Sequence, residues 1–399
     1  MFRRIEARGY RCLRSVGQSI NPFEILIGSN ASGKSTFLDV VSFLGTLVSA
    51  GLEAAVEQRT SNFHDLVWGR EGDSFDLAVE ATIPEDRRAS PHFLGLPDTV
   101  RYEVGIRLDT LTGKLHIANE RIEVHGPLGG PPHVEVLTRS DKLRLTSETS
   151  GLPYERQLDR NSSALNHLPS DADFPAAAWL REHLRGCIKP VTLDPGELRK
   201  PSPPAISDAS DSRGSYLARS ISQLRKDPDP GGYRARMRSN LGQFNAWLAH
   251  VRTVFPDIKD IKTGLREDDR HRYVMIDYQN GVSVPSWMVS DGTLRLLALT
   301  LLAYAPDFRG VYLIEEPENG VHPAALQAIY ESLSSVYEGQ VLVASHSPVL
   351  LSMAKPEQLL CFIKTPDGTR IVRGSEHQAL RDWQGEVSLG MLAASGILG

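Results

Sequence analysis

Residues 25–41, ILIGSNASGKSTFLDVV, constrain this chain more than any other stretch. Ile25, Leu26 and Ile27 run into a loop framed by Gly28 and Gly33, the loop ends in Lys34 and Ser35, and an apolar-periodic segment follows. The spacing G-x-x-x-x-G-K-[ST] demands a strand, a tight turn and a helix in that order. Glycines let backbone N–H groups converge on a phosphate without Cβ clashes, and the helix start adds its dipole. Lys34 is placed to bridge the β- and γ-phosphates and Ser35 to hold Mg²⁺. A chain built around such an element is α/β.

The bulk numbers leave room for a full core. The 399 residues are 41% hydrophobic and 23% charged with a net charge of −5, as in a globular chain of one large domain or two. That balance does not point to a surface coated for nucleic acid, although a local basic groove stays open. Cys12, Cys187 and Cys361 lie far apart with no C-x-x-C pair. Their spacing speaks against a disulfide framework or a zinc clip and fits a reducing cytoplasm. No apolar run reaches ~18 residues, so no membrane span is expected. The opening MFRRIEARGYRCL lacks the apolar stretch of a signal peptide.

FRRIEARGYRCLRSV and FEILIGSN read as strands leading into the loop, and the apolar spacing of residues 34–58 predicts one long helix. SFDLAVEATI and residues 101–126 alternate with period two, predicting an antiparallel sheet beside the core. Residues 126–215 are rich in Pro, Gly, Ser and Asp and predict long loops. Helix-like pieces sit in or after this zone at AAAWLREHLR and GSYLARSISQLRK, followed by NLGQFNAWLAHVRTVF. From RYVMIDYQ onward strands and helices alternate again. The expected organisation is an N-terminal core part over 1–125, an insert over 126–270 and a C-terminal core part over 271–399. No heptad pattern is sustained, so no long coiled-coil arm is expected.

Three further stretches bear chemistry. GVYLIEEPENGVHP (310–323) suits a buried parallel strand ending in Glu315 and Glu316. Loops at the carboxyl ends of such strands bind ligands in open α/β sheets. Beside a triphosphate, Glu315 would position Mg²⁺ and Glu316 would activate the attacking water. SWMVSDGTLRLLAL (286–299) sets Ser290 and Gly292 at the start of an apolar-periodic helix, where Ser is a natural cap and bare N–H groups bind anions. Taken alone, it is a helix cap. QVLVASHSPVLL (340–351) sets His346 after an apolar strand, where it could meet a γ-phosphate or serve structure alone.

In that order, the four elements resemble those of ABC-type ATPases, in particular the RecF/SMC/OLD-like branch of AAA-family ATPases of the AAA_21 kind. GSNASGKST is similar to that branch's Walker A, VSDGTLR to its signature, LIEEPENGVHP to its Walker B and D-loop, and ASHSP to its switch histidine. The resemblance covers about 1–125 and 270–365. It implies an α/β P-loop NTPase fold, a two-lobed ABC/SMC-type head with an antiparallel β subdomain and a helical, loop-rich insert. It also implies ATP and Mg²⁺, held by Gly28, Ser29, Asn30, Ala31, Ser32, Gly33, Lys34, Ser35 and Thr36 of one copy, with Glu316 as the catalytic carboxylate and His346 as the switch. Ser290 and Gly292 of a second copy would cap the γ-phosphate, and Asn319 and Gly320 would lie where two copies meet. Two ATPs would thus be sandwiched in a homodimer that hydrolysis opens. By the same resemblance YRCL takes the place of the FRS-like stretch of RecF/SMC relatives, which makes Arg11 a candidate phosphate contact; it reads equally as an ordinary surface arginine.

The chain departs from that pattern in places. Glu315 stands where an Asp is usual, Asp291 where relatives often have Gly, and no glutamine matches the Q-loop, Gln58 being poorly placed. About fifty residues follow His346, too few for the TOPRIM nuclease domain of OLD proteins. The tail SLGMLAASGILG is similar to stand-alone bacterial ATPases encoded beside a small TOPRIM-like protein in anti-phage defence, and it reads equally as a packing segment. The resemblance therefore implies an ATPase controlling a separate effector. Two alternatives stand beside it. One is a RecF-like DNA-repair ATPase using the basic stretch 224–240 with Arg225, Lys226, Arg234, Arg236 and Arg238. The other is an ATP-dependent scaffold with very slow turnover.

Overall fold

The computed structural model describes residues 1–88, 98–126, 134–139, 142–157, 159–204, 214–225, 241–305, 308–381, 383 and 387–398. They form two units, each assembled from separated stretches. The first comprises Met1–Ile188, Pro356–Trp383 and Gly396–Gly399, and the second Lys189–Lys355 and Gln384–Ser395.

The first unit opens with strands β1 (Phe2–Tyr10), β2 (Leu13–Ser19) and β3 (Phe23–Gly28), then helices α1 (Lys34–Ala50) and α2 (Leu52–Glu57). Six strands follow, β4 (Ser74–Thr82), β5 (Thr99–Leu108), β6 (Leu115–His125), β7 (Val134–Arg139), β8 (Leu143–Thr146) and β9 (Pro153–Arg156), and then helix α3 (Pro175–Gly186). All of these strands except β3 build one eight-stranded sheet in the order β2-β1-β4-β5-β6-β7-β8-β9, antiparallel throughout. Its alternation is plain on β5, where Val100, Tyr102, Val104 and Ile106 are buried while Arg101 reaches Glu6 at 2.6 Å on the other face.

Two expectations need correction here. The helix predicted over 34–58 is two helices, because Gly51 sits at φ 93° and breaks the turn between them. The stretch expected as long loops contains β7, β8 and β9, while α3 forms where AAAWLREHLR reads as helix-like. The short strands bury Val136, Leu137, Leu143 and Leu145, too few residues per strand for the period to stand out between prolines. The following turns are tied down from within. Buried Glu120 of β6 accepts from Tyr102 Oη at 2.8 Å, Ser163 Oγ at 2.6 Å and the Ala164 N–H at 2.8 Å. Arg139 of β7, also buried, lies 3.4 Å from the same carboxylate and donates to the carbonyls of Ser162 and Asp159 at 2.7 Å. Helix α3 has no side-chain cap of its own. Glu148 supplies one from outside the helix, accepting from Ala176 and Ala177 N–H at 2.8 and 2.9 Å, and burial pushes its carboxyl up to about 7.

Strand β10 (Ile188–Val191) leads into the second unit, where α4 (Pro195–Arg199), α5 (Leu217–Arg225) and α6 (Leu241–Val254) precede a small antiparallel sheet of β11 (Ile258–Leu265), β12 (Arg272–Tyr278) and β13 (Ser283–Pro285). Then come α7 (Asp291–Leu301), β14 (Val311–Glu315), α8 (Pro323–Ser334), β15 (Gln340–Ala344) and α9 (Pro348–Met353). β14 and β15 pair in parallel, Leu313 opposite Leu342. Both are continuous apolar runs with β15 wholly buried, as a strand covered on both faces must be. Trp247 of α6, fully buried, donates to Thr300 of α7 at 3.0 Å.

The chain then returns to the first unit as β16 (Leu359–Thr365) and β17 (Gly368–Arg373). β16 runs parallel to β3 and antiparallel to β17. The tail helix α10 (Leu389–Ala394) packs on α9: a Cβ on Gly390 would stand 2.0 Å from the Pro348 carbonyl oxygen. Among the described residues no helix is long and apolar enough to cross a membrane.

Candidate nucleotide site

In the first unit, β3 ends at Gly28 and α1 begins at Lys34, so the residues between them form the expected loop. Its shape requires special backbone. Gly28 (φ 146°), Ala31 (φ 60°) and Gly33 (φ 103°) all lie at positive φ. A Cβ on Gly28 would stand 2.3 Å from the Phe362 carbonyl oxygen, so no larger residue fits there. Ser29, Asn30, Ala31 and Ser35 face solvent, whereas Ser32, Gly33 and Lys34 are buried. Lys34 Nζ donates to the carbonyls of Gly28 and Ser29 at 2.8 and 3.0 Å, which holds the ammonium over the loop. Ser32 Oγ is buried without a hydrogen-bond partner among the described residues. An orphaned donor inside a loop of converging N–H groups fits a phosphate.

The returning strand braces this loop. Thr369 Oγ1, on β17, donates to the Ser32 carbonyl at 2.8 Å, and Cys12 Sγ reaches Thr36 Oγ1 at 3.4 Å. Neither Thr369 nor its role was visible from local sequence. Arg11 sits in the β1–β2 turn at φ 49°, its guanidinium 3.4 Å from Asp39. Arg59 binds the same carboxylate at 2.7 Å, and Tyr10 Oη donates to it at 2.6 Å.

In the second unit, Glu315 closes β14 and is exposed, and Glu316 follows at φ 47°. A left-handed conformation at a non-glycine residue costs on the order of 1–3 kcal/mol and persists only when its surroundings dictate it. Here they do. Glu316 N–H donates to the Ala344 carbonyl at 2.8 Å, and the Asn319 N–H donates back to the Glu316 carbonyl at 3.0 Å. The Asn319 side-chain amide also donates to the Glu316 carboxylate. Two residues on, Glu318 Oε1 accepts from Ser345 Oγ at 2.9 Å and from the His346 N–H at 2.8 Å. The loop after β14 and the loop after β15 are therefore stitched side by side, and His346 is presented to solvent from the second. Glu318 is the residue whose part in this was missed, since its partners Ser345 and His346 lie far along the chain.

Glu318→Ala is expected to lower the maximal ATP hydrolysis rate about tenfold while leaving the KM for ATP within about a factor of two, since it removes the acceptor that fastens His346 and changes no residue of the phosphate loop. Glu318→Gln, whose amide oxygen still accepts both bonds, should restore most of the rate. Equal losses in both variants would show that the carboxylate acts by its charge and not by fastening the loop.

Ser290 caps α7, its Oγ accepting from Thr293 N–H at 3.2 Å. Gly292 lies against the Glu316–Gly320 loop: a Cβ there would stand 2.8 Å from the Gly320 carbonyl oxygen. The unusual Asp291 is ion-paired with Arg199 of α4, and Arg199 also donates to the Val289 carbonyl at 3.1 Å. That pairing offsets a negative charge that would otherwise oppose anion binding at this helix start. Of the basic stretch at 224–240, Arg225 ends α5, while Lys226, Arg234, Arg236 and Arg238 lie outside the described residues. No cluster of three or more His, Cys, Asp or Glu side chains suited to a metal occurs among the described residues. Mg²⁺ carried in on phosphates needs only one or two protein oxygens, which Ser35 and Glu315 are chemically suited to give.

Comparison with known proteins places the fold. The family described as "AAA domain, putative AbiEii toxin, Type IV TA system" matches residues 24–352. Among curated proteins none matches. Among solved structures, the chain is similar to an Smc head bound to the C-terminal winged-helix domain of ScpA, with TM-score 0.56, 16% identity, and 93% of this chain and 97% of that one covered. It is also similar to an Smc head with an extended coiled coil bound to the C-terminal domain of ScpA from Pyrococcus furiosus, with TM-score 0.50, 14% identity, and 93% and 95% covered. A third is an Smc head with a coiled coil and joint from Pyrococcus yayanosii, with TM-score 0.50, 11% identity, and 93% and 96% covered. At these identities the likeness is one of fold: a mixed α/β P-loop head of the ABC type.

Proposed function

From the premise that this chain belongs to the AAA_21 family of AAA domains, we propose that it binds ATP through Gly28–Thr36 and hydrolyses it with Glu316. The observation that carries the reading is the loop after β14, where Glu316 is held at φ 47° and His346 is fastened to the same loop through Glu318. Such strain belongs to residues that must point one way. The backbone N–H groups of the phosphate loop and the Lys34 ammonium orient the β- and γ-phosphates, and Ser32 Oγ adds one donor. Glu316 takes the proton from the attacking water as it adds to the γ-phosphorus, and the β–γ bridging oxygen leaves with ADP. His346 donates toward the γ-phosphate and reports its loss. Bound Mg²⁺, held by Ser35 and Glu315, would neutralise charge on the phosphate oxygens.

The N-terminus of α7, with Ser290 and Gly292, supplies anion-binding N–H groups to the γ-phosphate of a second copy, so that ATP holds two copies together and hydrolysis releases them. Two-fold symmetry then makes the contact reciprocal, with Asn319 and Gly320 at the joint and Arg11 steadying phosphate. The partner of this cycle is a separate effector, a TOPRIM-like nuclease in a cytoplasmic anti-phage system. The Smc heads of similar fold, each bound to a domain of ScpA, support a head that works on another chain. Direct DNA binding and a slowly turning scaffold remain the competing roles.

The test is the solution mass with and without ATP and Mg²⁺, beside ATP affinity. The wild type should double in mass with ATP, and Lys34→Ala should weaken ATP binding by at least about tenfold and stay monomeric. A mass indifferent to ATP would sink the sandwich, and unchanged affinity in Lys34→Ala would remove ATP from this loop.

A further inference from the structure

Away from all of these residues, the second unit holds a cavity of about 440 Å³ between the end of α5, one face of α6 and the start of β11. Its wall carries Arg225, Arg252 and Lys259 against a single acid, Asp260, over the apolar floor of Phe244 and Leu248. Both arginines are fixed in place. Arg225 pairs with Asp260 at 2.8 Å, donates to the Ile261 carbonyl at 2.7 Å, and stands 5.1 Å over the Phe244 ring. Arg252 Nε donates to the Ile258 carbonyl at 2.9 Å, and its guanidinium also reaches the Lys259 carbonyl. Lys259 is exposed, and of the acids outside the lining its charge is felt by Asp277, which is itself ion-paired with Lys262.

With Arg225 paired to Asp260, the lining keeps two further positive charges, on Arg252 and Lys259, which is what a doubly charged phosphate needs; the two ordered guanidinium groups lose little entropy on binding and offer planar donors to tetrahedral oxygens. A carboxylate would satisfy only half of that charge. We propose that this cavity is a second phosphate-binding site, separate from the loop at Gly28–Thr36, taking a phosphate or pyrophosphate group. That group could be carried by a free nucleotide-like ligand or by a nucleic-acid strand. The volume admits such a group with part of the body that bears it.

Titration calorimetry of the full chain with inorganic pyrophosphate tests this. Lys34→Ala is expected to retain one pyrophosphate site, and adding Lys259→Gln should weaken that site about tenfold. Lys259 is exposed, so its loss should leave the fold intact. Arg252→Gln should reinforce the effect. Pyrophosphate binding that disappears entirely in Lys34→Ala, or that ignores Lys259→Gln in that background, overturns the proposal. Failure of the phosphate-loop reading would look different: wild type and Lys34→Ala would then show the same single site. In the Lys34→Ala protein, displacement of pyrophosphate by an oligothymidylate would mark a nucleic-acid strand as the source. Its absence would mark a free phosphate ligand.

Discussion

Glu316→Gln is expected to cut ATP-dependent phosphate release by about 10²–10⁴-fold, the range a positioned general base contributes, while ATP binding survives and the ATP-held dimer accumulates. The reason lies in what the substitution leaves alone. Gln is isosteric, can still accept from the Asn319 amide that bonds the Glu316 carboxylate, and keeps the backbone bond from residue 316 to the Ala344 carbonyl. It adds no new burden to a residue already at φ 47°. Only the capacity to take a proton is lost. Phosphate release and solution mass, read on the same sample, check both halves at once. Wild-type turnover in Glu316→Gln would disqualify it as the base, and with it the assignment of residues 310–323 as a Walker B and D-loop. Lost turnover without dimer would keep the chemistry and discard the sandwich.

The second large effect is on stability. Glu120→Ala should destabilise the chain by about 3–5 kcal/mol, because it strands the buried Arg139 guanidinium without its counter-charge. Three donors aimed at the carboxylate, from Tyr102, Ser163 and Ala164, lose their acceptor as well. Removing both charges together, as Glu120→Leu with Arg139→Met, should recover a good part of the loss, since well-packed apolar pairs often equal a buried ion pair. Urea unfolding of the three proteins measures this. A Glu120→Ala cost under about 1 kcal/mol would mean that water reaches the pair.

These two sites also mark how far the sequence can be read. The phosphate loop, the Ser290 cap and the strand ending in Glu315 and Glu316 were legible because each is local: a few residues of fixed spacing whose chemistry is complete in one stretch. The family and the mixed α/β fold followed from their order. What escaped notice depends on partners distant in the chain. Glu120 meets Ser163 across 43 positions, so the ordered turns after β9 looked like loop. Glu318 matters only because β15 lies beside β14, and Arg199 only because α4 reaches the start of α7. Gly51 was a different failure: apolar spacing continues through it, and the single glycine that redirects the backbone carries less weight than the pattern around it.

The brace on the phosphate loop has a consequence in time. Thr369 holds the Ser32 carbonyl from 337 positions away, and β3 takes β16 as its parallel neighbour. A ribosome delivers the loop well before its brace, with the second-unit residues Lys189–Lys355 made in the interval. Nascent chain therefore carries the nucleotide-gripping sequence long before it can carry the nucleotide-gripping shape. Such distant pairing also slows folding. A product interrupted before Pro356 would lack both Thr369 and β16, and would carry the loop without its brace.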